Sequence, residues 1–154
     1  MNDAHHPINL LCPGDPPPSG LPIVLVAAAA LVDSDGRVLV AQRPAGKHLA
    51  GMWEFPGGKI EPGEPPELAL VRELKEELAI DTAASCLAPC GFASHAFDDK
   101  QFHLVMLLFA CRKWHGRPEG QQGQAVKWVR VPELFRLDMP PADRPLLGLL
   151  QALL

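Results

Sequence analysis

Residues 57–80 read GGKIEPGEPPELALVRELKEELAI, and this stretch decides the fold. It opens on Gly57-Gly58, passes through Pro62-Gly63-Glu64 and then turns helical. Leu70, Val71, Leu74 and Leu78 recur at three- and four-residue spacing, so one side of a helix over residues 65–79 is apolar and faces a core. Pro65 and Pro66 suit its first turn, where a missing N–H costs little. Glu73, Glu76 and Glu77 stand at i, i+3 and i+4, which gathers three carboxylates on adjoining turns. Such a cluster repels itself. It is either a solvated acidic face relieved by Arg72 and Lys75, or a site for a hard cation that bridges carboxylates to phosphates.

Outward from the helix, residues 1–20 carry Pro7, Pro13, Pro16, Pro17 and Pro18 with little apolar periodicity. They read as a flexible tail ahead of a domain over residues 21–154. Residues 23–32 are a continuous apolar run, Asp33-Ser34-Asp35-Gly36 is a turn, and residues 38–41 return, which predicts a hairpin at the heart of a sheet. Residues 45–52 form a loop with Lys47 and His48, and Trp53-Glu54-Phe55 is a short strand leading into a Gly57-Gly58 turn. Beyond the helix, residues 86–94, 103–111 and 125–131 read as strands, with a turn at Asp98-Asp99-Lys100 and a polar loop over 116–123. Residues 132–137 give a short helical turn, and Asp143 precedes a closing apolar helix that ends at Leu154. The order predicts an α/β fold in which a mixed sheet is sandwiched between helices. The closing helix packs on its own sheet or on a second copy, so monomer and homodimer both stay open.

A chain of 154 residues is long enough for one domain with a real core. With 47% hydrophobic and 21% charged residues, its composition is that of an ordinary soluble protein. The net charge of -4 speaks against a nucleic acid polymer as partner, since that would want a basic face. Cys12, Cys86, Cys90 and Cys111 form no CxxC pair, so reduced thiols are expected rather than zinc ligands. No signal peptide is legible at the start, and residues 21–32 are too short to span a membrane as a helix. A cytoplasmic location is the expectation.

Gly58, five residues, Glu64, seven residues, then Arg72-Glu73-Leu74-x-Glu76-Glu77-x-Ala79-Ile80 resembles the Nudix box, with one departure, Ala79 in place of glycine. Gln42-Arg43-Pro44, the run from Gly51 through Trp53-Glu54-Phe55-Pro56 to Lys59, and Pro140-Pro141-Ala142-Asp143-x-Pro145 resemble the MutT branch of that superfamily. The resemblance covers residues 21–154. It implies the Nudix fold and a pyrophosphohydrolase that cuts 8-oxo-dGTP into monophosphate and pyrophosphate, a role in nucleotide-pool sanitation. It also implies Mg²⁺, with Mn²⁺ as the alternative. A polyphosphate repels a water nucleophile, and cations between phosphate and carboxylate oxygens relieve that repulsion. Carried over by position, the Gly57 carbonyl, Glu73, Glu76 and Glu77 would hold metal, and Glu73 is also the candidate for orienting the water. Arg72 and Glu64 would hold those carboxylates in place. Arg43, His48, Phe55, Gly58, Lys59 and Asp143 match nucleotide-contacting positions. Phe55 is equally readable as core, and Trp53 and Trp128 read as packing residues.

Two further departures bear on function. In the loop before Trp128 the family carries a glutamate that binds metal or acts as base. Gln122 stands there, and it takes no proton at ordinary pH. Glu119 is the candidate substitute; otherwise the base would be Glu73 or a metal-activated water. Asp143 replaces an asparagine whose amide both donates and accepts, whereas an ionised aspartate only accepts. That change keeps alive a CTP or modified-dCTP pyrophosphohydrolase with the same chemistry. The alternative use of Asp143 is to cap the last helix. Gln122 and the Pro-rich tail motivate a reading of another class, a non-catalytic Nudix-fold module that senses a nucleotide. The retained carboxylate cluster opposes it.

Overall fold

The computed structural model describes residues 20–154. The tail expected over residues 1–20 therefore lies almost wholly outside the described residues, as do His5, His6 and Cys12. Two sheets stand between helices. The first has four strands in the order β4 (Gly57–Lys59), β1 (Ile23–Leu31), β6 (Phe102–Cys111), β5 (Leu87–Phe97). Its β1–β6 pair is parallel and the others are antiparallel. The second is antiparallel and runs β3 (Trp53–Glu54), β2 (Val38–Gln42), β7 (Val126–Val129). Helix α1 spans Pro66–Leu78, α2 Val131–Leu134 and α3 Arg144–Leu153. The expected α/β class with strands between helices stands.

The expected hairpin of residues 23–32 and 38–41 does not form as one. The turn closes, with Asp33 N–H donating to the Arg37 carbonyl at 3.0 Å and a single bridge between Val32 and Val38. The strands then part into different sheets. The cause lies in β1, which is apolar on both faces. Ala27, Ala29 and Leu31 face the α1 side, and Ala28 and Ala30 face the α3 side. A strand buried on both faces is satisfied only as a central one. It takes β6 on one edge and β4 on the other, which leaves β2 to build the second sheet.

The Gly57-Gly58 turn is likewise a strand. β4 pairs Gly57 with Ala28 and Gly58 with Ala27. The glycines are there for close approach. A Cβ on Gly57 would lie 2.1 Å from the Ala27 carbonyl oxygen, and one on Gly58 2.3 Å from the Glu73 carboxyl carbon.

Leu70, Leu74 and Leu78 of α1 are fully buried against β1 and β2 residues. Burying each contributes roughly 1.5–3 kcal/mol. Like charges at i, i+4 cost only ~0.2–0.5 kcal/mol per pair, so the apolar face decides the helix and the acidic face is tolerated. On the opposite side Leu146, Leu147 and Leu150 of α3 are buried in a cluster with Ala28, Ala30, Val38 and Val40. The closing helix thus packs on its own sheet. Trp53 lies against this cluster with the Lys127 ammonium 4.0 Å from its ring centre, and Trp128 stacks on Trp114, so both indoles are packing groups as expected.

Helix α1 ends at Ala79, which adopts φ 56, ψ 31 while its N–H reaches the Lys75 carbonyl at 3.1 Å. Ile80 N–H then reaches back to Leu74, closing the helix in the manner that usually employs glycine. An L-residue with a Cβ in this left-handed conformation costs about 1–2 kcal/mol. Ala79→Gly should therefore stabilise the protein by ~1 kcal/mol and raise the thermal midpoint by about 2–4 °C, measured by calorimetry. An unchanged or lowered midpoint would mean that the strain is not stored there.

Candidate active site

A cleft of about 640 Å³ opens between the N-terminal half of β1, β4, α1 and the loops after β2 and before β7. That is ample for a small ligand. Of the residues expected to act, Arg43, His48, Gly57, Gly58, Lys59, Glu73, Glu76, Glu77, Gln122 and Asp143 line it.

Glu77 is the most constrained of the three helix carboxylates. Its Oε2 accepts the Gly57 N–H at 3.1 Å, which ties α1 to β4. Burial pushes its carboxyl up to about 7; Gly57 opposes that shift, and the charges of Glu54 and Glu73 add to it. Glu73 and Glu76 are instead gathered by Arg72, at 2.9 and 3.4 Å. Arg72 also grips Glu64 through two bonds, Nε to Oε2 at 2.9 Å and Nη2 to Oε1 at 2.8 Å, and reaches the Lys59 carbonyl at 3.2 Å. The bond to Arg72 holds the Glu64 carboxyl down at about 2. Arg72 and Glu64 thus stand beside the cleft and brace its acidic wall.

Among the described residues no three His, Cys, Asp or Glu side chains converge as a ready cage for a metal. The donor chemistry nevertheless fits a hard divalent cation. Three carboxylates share one wall, and one of them is buried far enough to resist ionisation without a positive partner. Glu76 is the most exposed of the three, at 61%, and is held by Arg72 at 3.4 Å.

The far end of the cleft differs from expectation. Asp143 is 1% exposed, and its side chain makes no cap for α3. Its Oδ1 accepts the Phe55 N–H at 3.0 Å instead. Burial pushes the carboxyl up to about 8, with the Phe55 bond opposing and the Glu54 charge reinforcing. Burial thus favours the protonated form of Asp143, which can donate as well as accept, where an ionised carboxylate only accepts. The Phe55 ring points into the core cluster of α3 and does not line the cleft. Its contribution is the backbone N–H.

Gln122 lies in the cleft, its N–H bonded to the Gln124 side chain at 2.9 Å. The loop is docked on the end of α1 through Glu119 N–H to Leu78 and Gln121 N–H to Glu77, both 3.1 Å to the carbonyls. Glu119 itself is 66% exposed and faces Arg117, outside the cleft, so the expected substitute base is not delivered there.

Sequence reasoning passed over several lining groups. Val24 and Val26 of β1 sit in register with Leu104 and Met106 of β6, and with Phe97 and Phe102 they form an apolar wall. The alternation of β1 into two faces carried that signal. Glu54 was also passed over; it is 21% exposed, salt-bridged to Arg43 at 2.8 Å, and raised by its burial.

The model of the NUDIX domain matches residues 27–149. The CTP pyrophosphohydrolase of Escherichia coli K12 is 37% identical over 130 residues, covering 84% of this chain and 93% of that protein. The 8-oxo-dGTP diphosphatase of the same organism is 34% identical over 128 residues, covering 83% and 96%. The crystal structure of a MutT NUDIX hydrolase from Burkholderia pseudomallei superposes with a TM-score of 0.69 at 28% identity, covering 82% of this chain and 96% of that one. The chain belongs to the Nudix family. Within it, the chain is a MutT-like Nudix hydrolase, of a family that generally needs a divalent metal and acts on small nucleotide substrates. None of its described helices is long and apolar enough to cross a membrane.

Because Asp143 is raised from 3.8 to about 8, the folded protein holds a proton that the unfolded chain has released between those values. Stability from this group is therefore greatest in acid and lost as pH rises towards 8. The metal-free protein should show a thermal midpoint that falls from about pH 5 to about pH 8, and Asp143→Asn should flatten that fall. A pH dependence identical in the variant would refute the buried neutral acid.

Proposed function

We propose that this chain is a Mg²⁺-dependent pyrophosphohydrolase that hydrolyses 8-oxo-dGTP to the monophosphate and pyrophosphate. The observation that carries the reading is the pairing of two ends in one cleft, an acidic wall of Glu73, Glu76 and Glu77 and the buried carboxyl of Asp143, which burial pushes up to about 8. The phosphates lie at the acidic wall and the base against the apolar wall of Val24, Val26, Leu104 and Met106. Bound Mg²⁺ supplies charge neutralisation and lowers the cost of generating a nucleophile from water. Glu77, Glu76, Glu73 and the Gly57 carbonyl are its candidate holders. Arg72 and Glu64 keep the carboxylates aimed, and Arg43 and Lys59 offer cationic donors to phosphate. Glu73, whose carboxyl lies against Gly58, is the candidate to orient and deprotonate the attacking water, since Gln122 has no basic atom.

At the base end, Oδ1 of Asp143 is engaged by Phe55 N–H, so the second oxygen of the neutral acid donates to an acceptor on the base. This restores what the amide of an asparagine would provide, and O6 of an oxidised guanine is such an acceptor. N3 of cytosine is another. That, together with the 37% identity to a CTP pyrophosphohydrolase, supports the second reading, the same hydrolysis of CTP or a modified dCTP.

The deciding measurement is pyrophosphate release from 8-oxo-dGTP, dGTP, CTP and dCTP at matched Mg²⁺. A preference for 8-oxo-dGTP over dGTP of about a hundredfold in kcat/KM, roughly 3 kcal/mol of transition-state discrimination, is expected. Dominant turnover of the cytidine substrates would transfer the assignment to the second reading. Glu77→Gln should lower kcat on the order of 10²-fold or more with the fold intact. An undiminished rate in that variant would remove Glu77 from the metal-holding set.

A further inference from the structure

Arg43 stands one residue past the end of β2, and its backbone is locked to the returning chain. Its N–H donates to the Met52 carbonyl at 2.8 Å, and its own carbonyl accepts from Gly51 N–H at 2.9 Å. The side chain is held at two further points. Nε donates to the His48 carbonyl at 2.6 Å, and Nη1 to Oε2 of Glu54 at 2.8 Å. A guanidinium is planar, so two attachments on different nitrogens fix the plane of the whole group. Its remaining N–H groups have no partner among the described residues, and the residue lines the cleft.

Glu54 occupies the middle of this arrangement. It lies on β3, with Ala41 of β2 opposite, three residues before Gly57 and next to Phe55. Its side chain is about four-fifths buried, and Arg43 is its one ion-pair partner among the described residues. A carboxylate taken that far from water is retained at a cost unless it is paired, and a pair at a cleft wall is a reason to retain it.

We infer that Glu54 is a positioning residue which, together with the His48 carbonyl, presents the Arg43 guanidinium to the nucleotide. His48 then serves through its backbone, while its imidazole packs edge-on to Phe97 at 5.5 Å. The assignment rests on the nucleotide reading of the cleft. It differs from the roles proposed for the helix glutamates because Glu54 acts through Arg43, its ion-pair partner, rather than as a holder of metal.

The test is a double-mutant cycle of Glu54→Ala and Arg43→Ala, read on the Kd of the nucleoside monophosphate product by calorimetry and on kcat and KM with Mg²⁺. Each single variant should weaken binding about tenfold through loss of the same oriented cation, and raise KM more than it lowers kcat. The double variant should be no weaker than the worse single, because the two residues act as one unit. Glu54→Gln, whose amide oxygen still accepts from Arg43, should recover part of the loss. Thermal midpoints identify any variant that fails to fold, and the Gln variant then carries the cycle. Additive losses, or a Gln variant as weak as the Ala variant, would overturn the role of Glu54 while leaving the enzyme reading intact. A wild-type protein that binds no nucleotide and turns over none would remove that reading and this role together.

Discussion

The site depends on α1 lying against two glycines. Gly57 and Gly58 form the edge strand β4, and neither could carry a side chain without striking the Ala27 carbonyl or the Glu73 carboxylate. That absence of atoms lets the acidic face of the helix sit on backbone. The Gly57 N–H reaches Glu77 across the gap, and the buried leucines on the other helix face hold the contact closed. Attraction between the acidic face and the strand does not assemble the cluster. Apolar burial on the far side of the helix does, and three carboxylates are carried into one cleft with it.

Electrostatics then has to be balanced locally, and Arg72 does most of that. It contacts Glu64, Glu73, Glu76 and the Lys59 carbonyl, so one guanidinium spans the loop before α1, the helix and the end of β4. Glu77 lies beyond its reach and is only hydrogen-bonded. That is why Glu77 carries the burial-raised carboxyl while Glu64 is held low. The charge left unbalanced is concentrated at the cleft.

The helix, its buried leucines and its carboxylate row were legible in the sequence because period and spacing are local properties. So were most strands, including the long apolar one at residues 103–111. What was not legible was pairing. The 23–32 and 38–41 runs were adjacent and apolar, and only the demand of β1 for neighbours on both edges sends them to different sheets. The role of Gly57-Gly58 had the same limit, since a turn and a crowded edge strand both want glycine. Asp143 was legible as a candidate from its motif and does line the cleft, yet its raised carboxyl depends on burial to 1% exposure, which no local pattern records. Phe55 was readable as pocket lining or as core; its ring lies in the core, and its N–H holds Asp143. Side chains were read where backbone was doing the holding.

The short run of residues 54–57, which bends at Pro56 between β3 and β4, unites these points. Glu54 takes Arg43, the Phe55 N–H takes Asp143, and the Gly57 N–H takes Glu77. Phe55 and Gly57 are two residues apart, so covalent geometry keeps the anchors for the base-side acid and the helix glutamate within roughly 7 Å of each other. Hydrolysis of a nucleotide needs base and phosphates held in register, and a misplacement of 1 Å can cost on the order of 10²-fold in rate. Fixing both ends to successive peptide groups of one short run meets that demand without requiring the two halves of the cleft to be positioned independently. The flanking β2–β3 loop, which supplies Lys47 and His48, can then vary in shape without changing the distance between the two ends.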